Sequence, residues 1–203
     1  MKIVAFGAHP DDIEIGASGT LAKHAINKDK VLMVVVTIPR HRKERIKESK
    51  ESAKILNTEL MILDLDPYKL EFNRQLVEKF DEIIKNISPD IIFTHWNHDS
   101  HQDHYTVSKA TIAAARENNC SLYMYEQIIP GGIVPYGFRA QYFVDISNFI
   151  TTKMESIAAY KSETKKQGNW WLEGIKGRAI TRGYQIHTLY AEAFEVVKII
   201  DKP

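Results

Sequence analysis

Five short runs of apolar residues set the frame of this chain: residues 3–7, 31–37, 60–63, 91–94 and 122–126. None alternates apolar with polar in the manner of a strand that faces water on one side. A run apolar on both faces belongs to a parallel strand covered by helices above and below. The intervening segments have helical length. Residues 19–27 place Leu21, Ala22, Ala25 and Ile26 on one face, and residues 72–87 place Leu76, Phe80, Ile83, Ile84 and Ile87 on another. A helix ends near residue 56, and a fourth spans 105–118. Repeated strand–helix alternation predicts a doubly wound, three-layer α/β sandwich with a mostly parallel sheet in the order 3-2-1-4-5 and C-terminal additions. In that order strands one and four lie side by side at the switch point, where ligands bind beyond the carboxyl ends of the strands.

Both unusual stretches of the sequence fall at those two ends. The first strand runs into AHPDDIEIGASGT, residues 8–20, with His9, Pro10, Asp11, Asp12 and Glu14. So many ionisable groups at the end of a core strand cost several kcal/mol unless compensated, and a bound cation is the simplest compensator. The bland reading is a polar loop with Asp12 or Ser18 capping the next helix. The fourth strand runs into THWNHDSHQDH, residues 94–104, which holds four of the eight histidines: His95, His98, His101 and His104. Ser100 and Asp103 fit a capping box, but capping leaves the histidines unexplained. His101 and His104, three apart at a helix start, share a face.

Across the seam, His9, Asp12 and His104 assemble two imidazoles and a carboxylate. Three nitrogen and oxygen ligands leave an open position for water, the pattern of a catalytic zinc, one per chain, with another divalent metal as the alternative. The chemistry that fits is hydrolysis. Asp11, beside the ligand Asp12, is the natural base for the attacking water. His101 faces a substrate carbonyl and, protonated, stabilises an oxyanion or passes a proton to the leaving amine. Asp103 and Asp99 suit the task of fixing imidazole orientation. His95 and His98 stay open as alternative ligands.

Composition narrows the class. With 27 Lys and Arg against 26 Asp and Glu the net charge is +1, so no field advertises nucleic acid or an anionic membrane. Cys120, the single cysteine, excludes an internal disulfide and a cysteine-based zinc site. No run approaches a membrane span and the opening residues are too short for a signal peptide, so a soluble cytoplasmic protein is expected. Without repeats or linkers, residues 1–203 read as one domain. His24 reads as a boundary residue, and residues 39–48 as a solvated face whose start lies near the site. Beyond Pro130 the reading is a flexible, partly aromatic loop at 131–138 that lines or covers a cleft. A strand at 142–146, a helix at 148–161, a packed corner at Trp170 and Trp171, a short helix at 178–186 and a strand at 193–200 follow.

These residues resemble the zinc-dependent de-N-acetylases of the PIG-L/LmbE superfamily, on the strength of AHPDDIEIGASGT and of HDSHQDH at 98–104. Softer echoes extend over most of the chain: Arg45 and Glu48 as R-x-x-E, Ala114-Ala115-Arg116, Tyr125-Glu126, Phe143 to Ile146 with Lys153, and Tyr190 to Phe194. The resemblance implies a Rossmann-like fold and removal of the N-acetyl group from an N-acetylglucosamine-type sugar or conjugate, releasing acetate. It also implies His9, Asp12 and His104 as zinc ligands, Asp11 as base and His101 as the electrophilic or acid group. Gln102, Glu163 and His187 depart from the usual pattern, and His187 bears on the pocket. The opening motif with Glu14 is shared with the bacillithiol-pathway deacetylases.

A neutral sugar needs a few directed hydrogen bonds and an apolar wall, and Arg45, Tyr136, Arg139 and His187 are the substrate candidates. The expected partner is a small amino sugar, with neither nucleic acid nor membrane, and a homo-oligomer is left open. Two other readings compete. A non-catalytic sugar- or nucleotide-binding module would want a phosphate-cradling glycine loop after strand one, which this sequence lacks. A metal phosphoesterase would want a second metal about 3.5–4 Å from the first.

Overall fold

A computed structural model describes residues 1–127 and 136–201. Strands β1 (Lys2–Gly7), β2 (Lys30–Thr37), β3 (Glu59–Leu65), β4 (Ile91–His95) and β5 (Ser121–Tyr125) form the parallel part of the sheet. Between them run α1 (Asp12–Ile26), α2 (Arg42–Leu56), α3 (Arg74–Ile87) and α4 (Gln102–Ala115). The sheet has seven strands in the order β3-β2-β1-β4-β5-β7-β6. Its first five places are therefore the expected 3-2-1-4-5. The C-terminal additions are β6 (Tyr142–Asp145) and β7 (Ala191–Lys198); β7 is inserted between β5 and β6 and runs antiparallel to both.

Period-two alternation along β1 explains the three layers. Ile3 and Ala5 point into one core with Ile13, Ala17, Leu21 and Phe194. Val4 and Phe6 point into the other with Phe80, Ile84 and Val107, and the rings of Phe6 and Phe80 stack at 4.7 Å. α1 is buried along most of its length, since α2 and α5 (Ile150–Ala158) cover the side turned away from the sheet. The helix begins at Asp12 rather than near Gly19, and that burial is why the sequence pattern hides its start. Its first turns lack the polar face by which a helix is read from sequence. Gly16 is obligatory there, because a Cβ would fall 2.2 Å from the ring of Tyr125.

The C-terminal helices also differ from expectation. The segment expected as one helix over 148–161 divides into α5 and α6 (Lys161–Gln167). Gly168, at φ 77°, separates α6 from α7 (Asn169–Gln185), which replaces the short helix expected at 178–186. The last strand starts two residues earlier than expected and ends at Lys198. Most of the loop expected over 131–138 lies outside the described residues. No helix among the described residues is long and apolar enough to cross a membrane.

Candidate active site

β1 and β4 are parallel neighbours, pairing Ile3 with Ile91 and Ala5 with Phe93, so their carboxyl ends open on the same edge of the sheet. From β1 the chain enters α1 through His9, Pro10 and Asp11. From β4 it enters α4 with His101 at the N-cap. His9 and His101 approach with ring centroids at 4.9 Å, and His9 and His104 at 5.5 Å. Neither Asp12 nor Ser18 caps α1. Asp11 holds that position without a side-chain cap bond, Asp12 accepts the His9 amide at 2.7 Å, and Ser18 donates to the Glu14 carbonyl. The Ser100–Asp103 capping box does not form. Asp99 accepts the His101 amide at 2.9 Å, and His101 Nδ1 accepts the Asp103 amide at 3.1 Å.

His9, Asp12 and His104 offer ligand atoms that all lie within 4.8 Å of one another. A borderline divalent ion suits this nitrogen, oxygen and nitrogen donor set. Asp12 Oδ2 is 3.4 Å from His9 Nδ1, and Asp12 Oδ1 is 3.3 Å from His104 Nε2. Burial opposes charge on Asp12, but His104 and His95 outweigh it and hold the carboxyl well below the usual range. Burial likewise opposes charge on His9, yet hydrogen bonds to Asp103 and Asp12 lift it to about 9. His104 rises to about 10 because Asp12 and Asp99 overcome its burial. Metal-free, the cluster thus gathers two protons around Asp12, the charge a divalent ion would bring. The residues fit a metal.

Asp11 sits beside this set with its backbone at φ 89°, a left-handed conformation that costs a non-glycine residue on the order of 1–3 kcal/mol. Arg45 of α2 holds it there. The guanidinium donates to the Pro10 carbonyl and to Asp11 Oδ2, the latter at 2.9 Å. Arg45 also donates to Ser162 Oγ at 3.3 Å, lies 3.8 Å from Glu48 and 3.6 Å from Glu163, and sits 5.1 Å over the Tyr160 ring. Burial raises the Asp11 carboxyl to about 7, with Arg45 pulling it down and the charge of Asp12 pushing it up.

Asp103 Oδ2 lies 2.8 Å from His9 Nε2, leaving His9 Nδ1 turned toward Asp12. Asp99 lies 3.3 Å from His104 Nδ1, leaving His104 Nε2 turned the same way. His101, with Nδ1 accepting a backbone amide, carries its neutral-form proton on Nε2. Burial and the positive His104 and His9 lower its pKa. His95, fully buried, accepts the Ala8 amide at 2.9 Å, and burial with the charge of His104 takes it down to about 4. Neither His95 nor His98 belongs to a candidate metal set among the described residues, and His98 packs at a tilt against Tyr136 with ring centroids at 4.3 Å.

A cleft of about 1080 Å³ opens from His9, Asp11, Asp12, His101 and His104 past Arg45. The other substrate candidates do not line it. Tyr136 is exposed against His98, Arg139 pairs with Glu195 at 2.7 Å, and His187 is exposed in the turn before β7. Sequence reasoning missed Gln127, which lines the cleft and donates to the Asp12 carbonyl at 2.9 Å. It also gave no role to Lys153, which donates to the carbonyls of Glu14 and Ile15 and to Glu192. An isolated lysine or glutamate in an apolar pattern, as in Ala191–Phe194, was the available signal.

Residues 4–115 match the family model described as PIG-L: GlcNAc-PI de-N-acetylase. An uncharacterized deacetylase of Escherichia coli, YaiS, is 34% identical over 132 residues, covering 56% of this chain and 68% of the relative. The diacetylchitobiose deacetylase of Thermococcus kodakarensis is 24% identical over 97% of this chain and 83% of its own length. Among solved structures, GalB, the 4-carboxy-2-hydroxymuconate hydratase of Pseudomonas putida KT2440, superposes with a TM-score of 0.86 over 100% of this chain and 98% of its own. At 17% identity that likeness speaks for the fold alone. The family match covers more than half the sequence and includes both histidine-bearing motifs at the switch point. The chain belongs to the PIG-L family of deacetylases, hydrolases that cleave an amide bond.

Proposed function

We propose that this protein is a zinc-dependent deacetylase that removes the N-acetyl group from an N-acetylglucosamine-type sugar or sugar conjugate and releases acetate. The observation that carries this reading is the convergence of His9, Asp12 and His104 within 4.8 Å, next to a buried carboxyl at Asp11. Zinc held by those three residues supplies Lewis-acid polarisation of the amide carbonyl and acidifies a water. Asp11, with a carboxyl near 7, is suited to take the proton of the attacking water and, once protonated, to return it to the leaving amine. Arg45 keeps that carboxylate in place and directs its own donors to Asp11, Pro10 and Ser162 rather than to a sugar.

His101 lines the cleft at the N-terminus of α4 with Nδ1 accepting the Asp103 amide, which leaves Nε2 as its donor where the helix dipole favours a developing negative charge. It therefore acts as the donor to the oxyanion. Asp103 and Asp99 are positioning groups, acting through His9 and His104. The test is acetate release from N-acetylglucosamine and its conjugates. Chelation should abolish it and stoichiometric zinc should restore it. Zinc-loaded protein that releases no acetate from any of a broad panel of such sugars would refute the reading.

A further inference from the structure

α7 opens with two tryptophans in opposite situations. Trp171 is 4% exposed and packs into the cluster of Ile15, Ile157 and Ile175. Trp170 is 66% exposed, yet it lines the cleft that contains His9 and Asp12. One indole anchors the helix and the other is displayed toward the active site. Holding so large an apolar surface in water is unfavourable. The fold gives Trp170 no aromatic or cation partner among the described residues. Tyr68, 92% exposed, lines the same cleft.

The size of the space adds a second line. About 1080 Å³ exceeds the roughly 300–1,000 Å³ that pockets for drug-sized ligands occupy, and one hexosamine is smaller than such a ligand. Asp11, Asp12 and His104 are buried where they line the cleft, whereas Trp170 and Tyr68 are exposed, so the exposed part is left to substrate beyond the scissile amide. A pyranose ring presents an apolar C–H face and a rim of hydroxyls. An indole complements the face, while long donor side chains complement the rim, and Lys165, Gln167 and Arg40 line this same cleft.

We infer that Trp170 is the platform of an outer subsite that seats a second sugar ring, so that the substrate is a glycan or glycoconjugate of at least two rings. This rests on the deacetylase reading but has its own test. Affinities for N-acetylglucosamine and N,N′-diacetylchitobiose are measured by calorimetry in the zinc-loaded, turnover-impaired Asp11→Asn background. Acetate release from both is followed in the otherwise unaltered enzyme. The disaccharide is expected to bind more tightly, and Trp170→Ala should cut that preference about tenfold, while Trp170→Phe keeps most of it.

If both sugars release acetate and the preference is the same with and without Trp170, the subsite is refuted and the deacetylase reading stands. If neither releases acetate but the binding preference depends on Trp170, the subsite stands and the deacetylase reading falls. A wild-type preference for the monosaccharide overturns the inference in either case.

Discussion

Lys153 offers a sharp test of how the fold supports the site. Its ammonium is 2% exposed and reaches three acceptors: the carbonyls of Glu14 and Ile15 at 2.9 and 2.8 Å, and Glu192 Oε1 at 2.7 Å. Glu192 in turn accepts the amides of Gly19 and Thr20 at 3.0 and 2.7 Å. Together they tie α5 and β7 to the helix that carries Asp12. Lys153→Met leaves the buried Glu192 carboxylate with two amide donors and no ion-pair partner, Arg178 acting on it only from beyond ion-pair distance, a loss of about 3–5 kcal/mol. In a domain of this size that corresponds to a fall in Tm of roughly 6–20 °C.

Replacing both partners, as Lys153→Met with Glu192→Gln, removes the stranded charge and should recover a large part of the loss. Urea unfolding of wild type, both single variants and the double variant completes the cycle. A loss below about 1 kcal/mol for Lys153→Met, or no coupling between the two positions, would refute the reasoning.

Asp11→Asn should keep zinc stoichiometry while turnover falls by about 10²–10⁴-fold, as read from acetate release and metal analysis. Arg45→Lys should lower kcat by about tenfold or more with little change in KM, since the guanidinium is occupied by Asp11 and Pro10. A rise in KM alone would make it a sugar contact. Asp103→Ala frees His9 Nε2 and should weaken zinc binding by about 10–100-fold in a chelator competition. Zinc affinity should also fall as pH falls. His9 and His104 hold protons up to about 9 and about 10 in the metal-free protein, so binding releases two protons. The apparent Kd then rises up to about 100-fold per unit of acidification between pH 8 and 6, and a flat profile would contradict the ligand assignment.

The parallel part of the sheet was legible because each strand is apolar on both faces, which leaves one architecture for helices to complete. The antiparallel return was not. Tyr142–Asp145 and Ala191–Lys198 each look like ordinary strands, and nothing local says that β7 slips between β5 and β6. The proposed ligands were readable as charges that a core strand could not otherwise tolerate. Arg45 was read as an echo and a sugar contact rather than as the partner of Asp11, because Pro10, Asp11, Ser162 and Glu163 come from separate parts of the chain. His101 illustrates the remaining limit. Its spacing from His104 pointed to the site, but the Asp103 amide that its Nδ1 accepts at 3.1 Å, and the burial and positive rings that lower its pKa, come from the folded site.

The proposed deacetylase requires one divalent ion shared by residues from the ends of β1 and β4. Anomalous diffraction at the zinc edge from crystals of zinc-loaded protein tests it most directly. One strong peak is expected within bonding distance of His9, Asp12 and His104 in each chain. A peak elsewhere, or none at that position in fully loaded protein, would contradict it.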